Sequence, residues 1–309
     1  MVDQSQEKTY KFVGLTEGNY QIKTETIPEP ASGEVLIKVA YSTINPYDKY
    51  LYYVFKPEKI GSDVGKKVSL MGGAWTQYKI DKPENLIILD ETQDLAKAAN
   101  AQVNPLTALG QLHIVQQRKS PSCIMTAASS QLAKQFYRLC HEEGIEVINI
   151  VRKDEQVRQL KQELNAKYVL NQTSETFYED VKELIELLKP TIMFDYIGGV
   201  ISGKLIELMP LGSQCSIVGT LTEDPLIVNT GSILFQSKSI VAFSLFNYLQ
   251  SLSNDERQAV FQRVSNDLRD GGKIFGTNIV KEVSLEHYLE GMEERVAVAS
   301  EGKILINCQ

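Results

Sequence analysis

The sequence has few of the residues that build metal sites or disulfide frameworks. Among its 309 residues are four cysteines and three histidines, and each stands apart from the others in the chain. No cysteine belongs to a C-x-x-C pair, so the spacing indicates neither a disulfide framework nor a zinc finger. The chain before Asn104 contains no Cys and no His at all. We therefore predict no metal site.

Long apolar runs and excess positive charge are also lacking. No stretch of about 18 or more apolar residues occurs, which argues against a membrane span. A net charge of -7 disfavours a nucleic-acid partner, because phosphate binding needs concentrated Lys and Arg. The polar opening MVDQSQEKTY is not typical of a secretory or transit peptide. We expect a soluble protein in a reducing intracellular compartment, with the cytoplasm and the mitochondrion both left open.

The part of the chain before Asn104 has the pattern of a β-rich region. In Gly33–Ser42, the apolar residues Val35, Ile37 and Val39 alternate with neighbours such as Lys38, and this period of two predicts a half-buried strand. Gly and Pro signals separate further short strands, which we place at Tyr10–Gly14, Lys67–Met71 and Trp75–Ile80.

From Asn104 onward, buried apolar runs alternate with helical periods. The runs predict strands at Cys123–Ala127, Val147–Val151, Tyr168–Leu170, Ile192–Tyr196, Cys215–Gly219 and Ile240–Leu245. Such β-α-β alternation is typical of a doubly wound parallel sheet. Thr176-x-x-Glu179 predicts a capping box at one of the helices. The tail has mixed structure, ending in a strand at Lys303–Ile306, and we expect it to rejoin the N-terminal region.

A turn of small residues follows the first strand of this alternating region. In dinucleotide folds the diphosphate lies where the first strand turns into a helix, whose amides and dipole attract it. The usual G-x-G-x-x-G is absent, and its glycine positions map to Ala128, Ser130 and Ala133. The turn is compatible with a diphosphate site and equally with a purely structural βα turn.

A pair of cations follows the second strand, which ends at Val151. NAD-selective folds have an acid there, whereas cations suit a 2′-phosphate. Arg152 and Lys153 therefore favour NADP(H) over NAD(H). The alternative is a solvated helix start at which Asp154 and Glu155 neutralise the pair.

At this point the chain resembles the medium-chain dehydrogenase/reductase superfamily. The matching motifs, in order, are Thr43-Ile-Asn-Pro-Tyr-Asp48, Gly65-Lys-Lys-Val68, Gly73-Ala-Trp-Thr-Gln-Tyr78, Asn104-Pro-Leu-Thr-Ala108, Thr126–Ala133, Ile150–Glu155, Phe194-Asp-Tyr-Ile-Gly-Gly199, Val218-Gly-Thr220 and Gly302-Lys-Ile-Leu305. They are most similar to the zinc-free branch of quinone oxidoreductases and 2-enoyl thioester reductases. The resemblance implies an α/β protein in which a GroES-like β-rich catalytic domain (1–103 and 250–309) is interrupted by a Rossmann domain (104–249), with NADP(H) in the cleft between them.

The resemblance also implies roles for individual residues. Asn45 would lie beside the nicotinamide and the substrate, Thr107 would line the nicotinamide pocket, and a loop tyrosine, for which Tyr53 is the choice, would donate a proton. Tyr50 and Tyr52 are other candidates, and the alignment could equally place Phe55 or Lys56 there. The implied cofactor contacts are Ala128, Ser129, Ser130, Gln131, Leu132, Arg152, Lys153, Gly198, Gly219, Thr220, Phe243, Ser244, Leu245 and Lys303.

The chain departs from the family between Asp48 and Gly65, where a hairpin that relatives carry is missing. Two interpretations therefore stay open. One is a zinc-independent, NADPH-dependent reductase that transfers hydride to an activated C=C or a quinone, with a small-molecule substrate. The other is a non-catalytic, reductase-derived NADP(H)-binding subunit of a larger host assembly, such as a mitochondrial one. The strand Ser239–Leu245 lies where relatives pair across a two-fold axis, which predicts a homodimer.

Overall fold

The structure, a computed structural model, describes residues 8–46, 48, 68–295, 297 and 299–309. The chain divides into two compact units, Met1–Leu106 with Ser253–Gln309, and Thr107–Leu252. The first is called unit 1 and the second unit 2.

The elements alternate between short strands and helices along the described chain. Its strands are β1 (Thr9–Thr16), β2 (Asn19–Thr26), β3 (Val35–Lys38), β4 (Tyr41–Thr43), β5 (Val68–Ser69), β6 (Tyr78–Asp81), β7 (Ile87–Ile88), β8 (Ser122–Met125), β9 (Glu146–Val151), β10 (Tyr168–Asn171), β11 (Ile192–Asp195), β12 (Gln214–Ile217), β13 (Ser239–Ala242), β14 (Ile279–Ser284) and β15 (Lys303–Asn307). Its α-helices are α1 (Leu95–Ala98), α2 (Val103–Arg118), α3 (Gln131–Glu142), α4 (Asp154–Leu164), α5 (Phe177–Leu188), α6 (Gly199–Leu208), α7 (Thr230–Phe235), α8 (Leu245–Ser251), α9 (Asn254–Arg269) and α10 (Tyr288–Glu294).

Unit 1 is β-rich, and its strands come from both sides of unit 2 in the chain. β15 pairs with β14 in parallel and with β4 in antiparallel fashion, with Leu305 opposite Thr43. The expectation that the tail rejoins the N-terminal region is confirmed. The predicted strand Gly33–Ser42 is divided into β3 and β4, although its alternation holds, since Ile37 and Val39 are buried while Lys38 is exposed.

The core of unit 1 forms where these strands meet α10. Trp75 and Leu70 are fully buried, and Ile304 and Ile306 of β15 pack into the same cluster. The Trp75 ring lies 5.6 Å from the ring of Tyr288 on α10, measured between centroids. Burial of such large apolar side chains is the main favourable contribution to folding, about 1.5–3 kcal/mol for each.

Unit 2 is built on a six-stranded parallel sheet in the order β10-β9-β8-β11-β12-β13. This is the 3-2-1-4-5-6 order of the Rossmann fold, whose strand order reverses between β8 and β11. Buried apolar strands such as Cys123-Ile124-Met125 have neighbours on both sides, as continuous hydrophobic runs predict. The predicted doubly wound α/β domain is confirmed.

The core of unit 2 lies between the sheet and its helices. Ile124, Ile148 and Met193 of the sheet pack with Phe177 of α5 and Leu205 of α6. Helix α6 packs directly against a loop at Gly203, where an added Cβ would clash with the Ile227 carbonyl oxygen.

The capping box predicted at Thr176 is wrong. Thr176 has φ -91° and ψ 6° rather than extended backbone, and its side chain caps no amide of α5. The hydroxyl donates instead to Asp180 Oδ2 over 2.9 Å. A capping box does occur at α9, between Ser253 and Glu256.

Within the described residues, no helix combines the length and the apolar character that crossing a membrane requires.

Candidate functional site

The turn between β8 and α3 has the features of an anion site. Ser130 is the N-cap of α3, and its hydroxyl accepts a hydrogen bond from the Ala133 amide at 3.3 Å. A helix lacks intrahelical acceptors for its first amides, and its dipole places positive potential there. This is the arrangement that binds phosphate groups.

The residues of this turn are small and mostly covered. Ala128, Ser129 and Gln131 are buried, while Ser130 and Leu132 are half-buried. The left-handed residue of the turn is Ala127, with φ +44°. The G-x-G-x-x-G pattern mapped its glycine positions to Ala128, Ser130 and Ala133. The position that most needs glycine's conformational freedom is instead Ala127.

Arg152 and Lys153 are exposed directly after β9. Within the described part of the chain, neither side chain forms a salt bridge. Asp154, which the alternative interpretation paired with these cations, accepts a hydrogen bond from the side-chain nitrogen Nδ2 of Asn171 at 2.8 Å. The exposed pair is compatible with an anion site and equally with a solvated helix start.

Asp195 forms several hydrogen bonds at the carboxyl end of β11, beside the end of β8. Its Oδ1 accepts hydrogen bonds from the Thr126 hydroxyl at 2.9 Å and the Ile197 amide at 3.1 Å. Its Oδ2 accepts from the Gly198 amide at 3.0 Å. The Gly219 amide donates to the backbone carbonyl of Asp195 over 3.2 Å.

The backbone amides of Gly198 and Gly219 are both used in these bonds. Both amides are already engaged with Asp195, so neither glycine is positioned chiefly as a hydrogen-bond donor. Gly198 adopts φ +81°, and a Cβ at Gly219 would lie 3.2 Å from the Tyr196 carbonyl oxygen. What these positions require is the absence of a side chain. Thr220 beside them is exposed, and its hydroxyl donates to the Thr222 carbonyl over 2.8 Å.

The segment Phe243–Leu245 follows the edge strand β13. The Phe243 amide donates to the Ile217 carbonyl over 2.8 Å, and the Ser244 hydroxyl caps α8 by accepting from the Asn247 amide at 3.2 Å. Leu245 is the first residue of α8. The Phe243 amide is thus used by the sheet. Any backbone hydrogen bond from this segment to a ligand would have to use its other polar atoms.

Thr107 lies in α2 and is buried. One turn later on the same helix, the side chain of Gln111 exchanges hydrogen bonds of 2.8 and 3.0 Å with the buried Tyr196 hydroxyl. Desolvation in this position raises the pKa of Tyr196.

In unit 1, Asn45 and Lys303 are brought together by strand pairing. Leu305 opposes Thr43, so continuing the antiparallel register places Lys303 opposite Asn45. Lys303 Nζ donates to Asn45 Oδ1 over 2.7 Å, and Asn45 Nδ2 donates to Thr43 Oγ1 over 3.2 Å. An ammonium group only donates, so the amide oxygen must be the atom that faces Lys303.

A buried carboxyl group adjoins this pair. Asp48 Oδ2 accepts a hydrogen bond from the backbone amide of Asn45 at 2.6 Å. Desolvation raises the pKa of Asp48 to about 7, although the Asn45 hydrogen bond and the charges of Lys303 and Arg295 favour its ionised form. Sequence analysis included Asp48 in a motif without giving it a role.

Tyr53 and its alternatives Tyr50, Tyr52, Phe55 and Lys56 lie outside the described residues. Over the ranges that are described, no group of three or more His, Cys, Asp or Glu side chains is placed to hold a metal ion.

Comparison with known proteins finds similar dehydrogenases and reductases. A protein-family profile described as zinc-binding dehydrogenase matches residues 136–266. The mitochondrial enoyl-[acyl-carrier-protein] reductase of Caenorhabditis elegans is 26% identical over 299 residues, covering 86% of this chain and 85% of that protein. A crystal structure from Mesorhizobium loti, of a protein provisionally named an NADPH:quinone reductase, is 25% identical with a TM-score of 0.84, covering 97% of this chain and 98% of that one.

The chain is similar to members of the medium-chain dehydrogenase/reductase superfamily. Within that superfamily it is similar to the quinone oxidoreductase and enoyl reductase branch, as the sequence motifs predicted. A mutant enoyl thioester reductase from Candida tropicalis, at 17% identity and a TM-score of 0.74 over 97% of this chain and 99% of that one, shares the fold. A GroES-like unit with a Rossmann unit is the architecture of this superfamily, and unit 1 and unit 2 correspond to them.

Sequence analysis included Asp195 and its partner Thr126 in two motifs without assigning them roles. The signal that could have revealed them is an acid at the end of an otherwise apolar buried strand, Ile192–Asp195. A carboxylate in that position must find donors nearby.

Proposed function

We propose that this chain is a zinc-independent, NADPH-dependent reductase whose acceptor is an activated C=C of the enoyl thioester type or a quinone. The observation that carries the proposal is the pair of exposed cations, Arg152 and Lys153, on the same sheet edge as the capped start of α3. The similarity to an enoyl reductase and to an NADPH:quinone reductase supports the choice of acceptor.

The residues of unit 2 fit a dinucleotide phosphate. The side chains of Ala127 and Ala128 at the turn are small, and the first turn of α3 provides positive potential. Arg152 and Lys153 supply the charge that a 2′-phosphate needs, with Arg able to bind phosphate in bidentate fashion. In this proposal, Ser129–Leu132 hold the diphosphate, and Gly198, Gly219, Thr220 and Phe243–Leu245 accompany the nicotinamide half.

NADPH, when bound, supplies the hydride. The protein must then orient the acceptor, exclude water and deliver a proton. We assign orientation to Asn45, held by Lys303, and to the buried Thr107. We assign proton delivery to a loop tyrosine, with Tyr53 as the choice, because a phenol is able to donate a proton in a reduction.

Two measurements test the proposal. A ligand that binds only the folded state raises the thermal unfolding temperature, so NADPH should produce a clear increase and NADH a smaller one. The purified protein should also consume NADPH with enoyl thioesters or with quinones. No thermal shift with NADPH would refute NADP(H) binding.

The sequence between Asp48 and Gly65 favours a second candidate function. Without the hairpin of its relatives, this part of the chain provides less material to exclude water from a reacting acceptor. A non-catalytic, NADP(H)-binding subunit of a host assembly would give the thermal shift but no NADPH consumption with either acceptor class. The name "mitochondrial" on the enoyl reductase relative supports testing mitochondrial fractions for such an assembly.

A further inference from the structure

Thr126 and Asp195 join the carboxyl ends of two adjacent parallel strands. Thr126 follows β8, and Asp195 ends β11. The Thr126 hydroxyl donates to Asp195 Oδ1 over 2.9 Å and accepts a hydrogen bond from the Tyr196 amide at 2.9 Å. Both side chains are completely buried. One hydroxyl group therefore bridges the two strands.

This bridge lies where the strand order of the sheet reverses. β9 continues the sheet on one side of β8, and β12 continues it on the other side of β11. In open α/β sheets, ligands bind in the crevice outside the carboxyl ends at this reversal point. The Thr126–Asp195 hydrogen bond spans the base of that crevice.

Each partner of the bridge is connected to a turn at the crevice. Thr126 precedes Ala127, whose left-handed backbone begins the turn into α3. Asp195 Oδ2 holds the Gly198 amide at 3.0 Å, at the turn into α6. A single carboxylate thus fixes the starts of two ligand-facing turns relative to each other.

We propose that Thr126 and Asp195 are positioning residues for the cofactor, for its diphosphate at the Ala127 turn and for its nicotinamide half at the Gly198 turn. They act through the turns at Ala127 and Gly198 and do not themselves contact the cofactor. The inference rests on the proposed NADP(H) binding and deepens it. Backbone donors must be held to within about 0.5 Å of their binding geometry, and loss of the Thr126 hydroxyl leaves the buried Tyr196 amide without its acceptor.

The same two strands provide a matched control at their amino ends. There the Thr191 hydroxyl donates to Ser120 Oγ over 2.8 Å, and the Thr191 amide donates to the same oxygen over 2.9 Å. Ser120 is buried and precedes β8, while Thr191 precedes β11. This second bridge is chemically similar to the first, but it lies at the edge of the sheet where ligands do not bind.

The experiment compares Thr126→Val, Thr126→Ser and Ser120→Ala. Thermal unfolding and the NADPH dissociation constant, measured by titration of nicotinamide fluorescence, are determined for each. Thr126→Val should weaken NADPH binding about tenfold, the effect of losing roughly one hydrogen bond of positioning. Thr126→Ser should restore most of the affinity. Ser120→Ala should lower the unfolding temperature while leaving the dissociation constant unchanged.

If Thr126→Val does not fold, Asp195→Asn replaces it, since Asn has one acceptor oxygen where Asp195 uses two, so one side of the bridge loses its acceptor. Wild-type affinity in the Thr126→Val or Asp195→Asn protein would overturn the inference while leaving the proposed function intact. Equal weakening by Ser120→Ala, or no rescue by Thr126→Ser, would show that the bridge is only structural. Absence of NADPH binding by the wild-type protein would overturn both the inference and the proposed function.

Discussion

Lys303 at the start of β15 donates a 2.7 Å hydrogen bond to Asn45, the residue that lies across from it beyond the end of β4. Lys303 has a buried ammonium group, which is costly unless polar partners surround it. The pair therefore fixes the Asn45 amide with its oxygen toward Lys303 and its nitrogen toward Thr43.

Removal of the Lys303 charge should impair turnover. We expect Lys303→Met to lower kcat/KM for NADPH-dependent reduction by about tenfold or more, because Asn45 loses the partner that orients it. Steady-state NADPH consumption measures the effect. Lys281→Met is the control, since Lys281 lies on the neighbouring strand β14 and its exposed ion pair with Glu294 contributes little. Equal rates in the wild-type and Lys303→Met proteins would contradict the assigned role.

Asp48 should make stability fall as pH rises. Its pKa in the folded protein is about 7, above the ordinary value of 3.8, so between these values the folded state binds more protons than the unfolded state. Stability is then lost as the pH rises through this window, and each pKa unit corresponds to about 1.4 kcal/mol. Lys303 and Arg295 are the charges that act on Asp48, and both favour its ionised form.

Chemical denaturation between pH 4 and pH 8 tests this dependence. We expect Asp48→Asn to flatten the decline and to be more stable than the wild type at the alkaline end. Asp270→Asn serves as a control of opposite sign, because the Arg269 hydrogen bond lowers the pKa of Asp270 and its contribution disappears only on acidification. An unchanged slope in Asp48→Asn would show that Asp48 titrates normally.

Arg152 and Lys153 should determine the preference for NADPH over NADH. We expect the double variant Arg152→Ala/Lys153→Ala to weaken NADPH binding at least about tenfold, because each charge-assisted hydrogen bond to phosphate contributes about 1.5–3 kcal/mol. NADH binding should change little. Titrations with both nucleotides give the ratio.

The exposed Arg158 on α4 supplies the control for this pair. Arg158→Ala removes a positive charge from the same helix without touching its start, so the ratio should stay at the wild-type value. A double variant that loses NADPH and NADH affinity in equal measure would argue against a 2′-phosphate site at these residues.

The edge strand β13 is the predicted dimer contact. Val241 on this strand is 40% exposed, and an exposed edge strand offers unpaired backbone groups to a second copy. We expect a dimer in sedimentation or size-exclusion experiments and a monomer after Val241→Lys. Val280→Lys, at 39% exposure on β14, should leave the dimer intact. A monomeric wild-type protein at micromolar concentration would refute this prediction.

The sequence was sufficient to predict the strands whose residues have a regular pattern of burial. The strands of unit 2 are apolar runs buried on both faces, and the alternation around Ile37 reflects one buried face, so period and composition identified them. Arg152 and Lys153 were also correctly expected at the end of β9, because their position depends only on where one strand stops.

Features that depend on contacts distant in the chain could not be predicted in this way. Thr126 and Asp195 are 69 positions apart, and Asn45 and Lys303 are 258 apart. The left-handed backbone fell on Ala127, where tertiary structure overrides the ordinary preference of alanine. The Thr176 capping box failed because the hydroxyl had a competing carboxylate, Asp180, four residues away.

The interrupted layout of unit 1 has a consequence for the order of folding during synthesis. β4 leaves the ribosome before any residue of unit 2, yet its partner β15 follows the whole of unit 2. At about 5–20 residues per second, β4 must wait for many seconds before it pairs, whereas the six strands of unit 2 emerge as one uninterrupted segment. During this interval the nascent chain exposes the apolar residues that later surround Trp75, so chaperone dependence should concentrate on this part of the polypeptide.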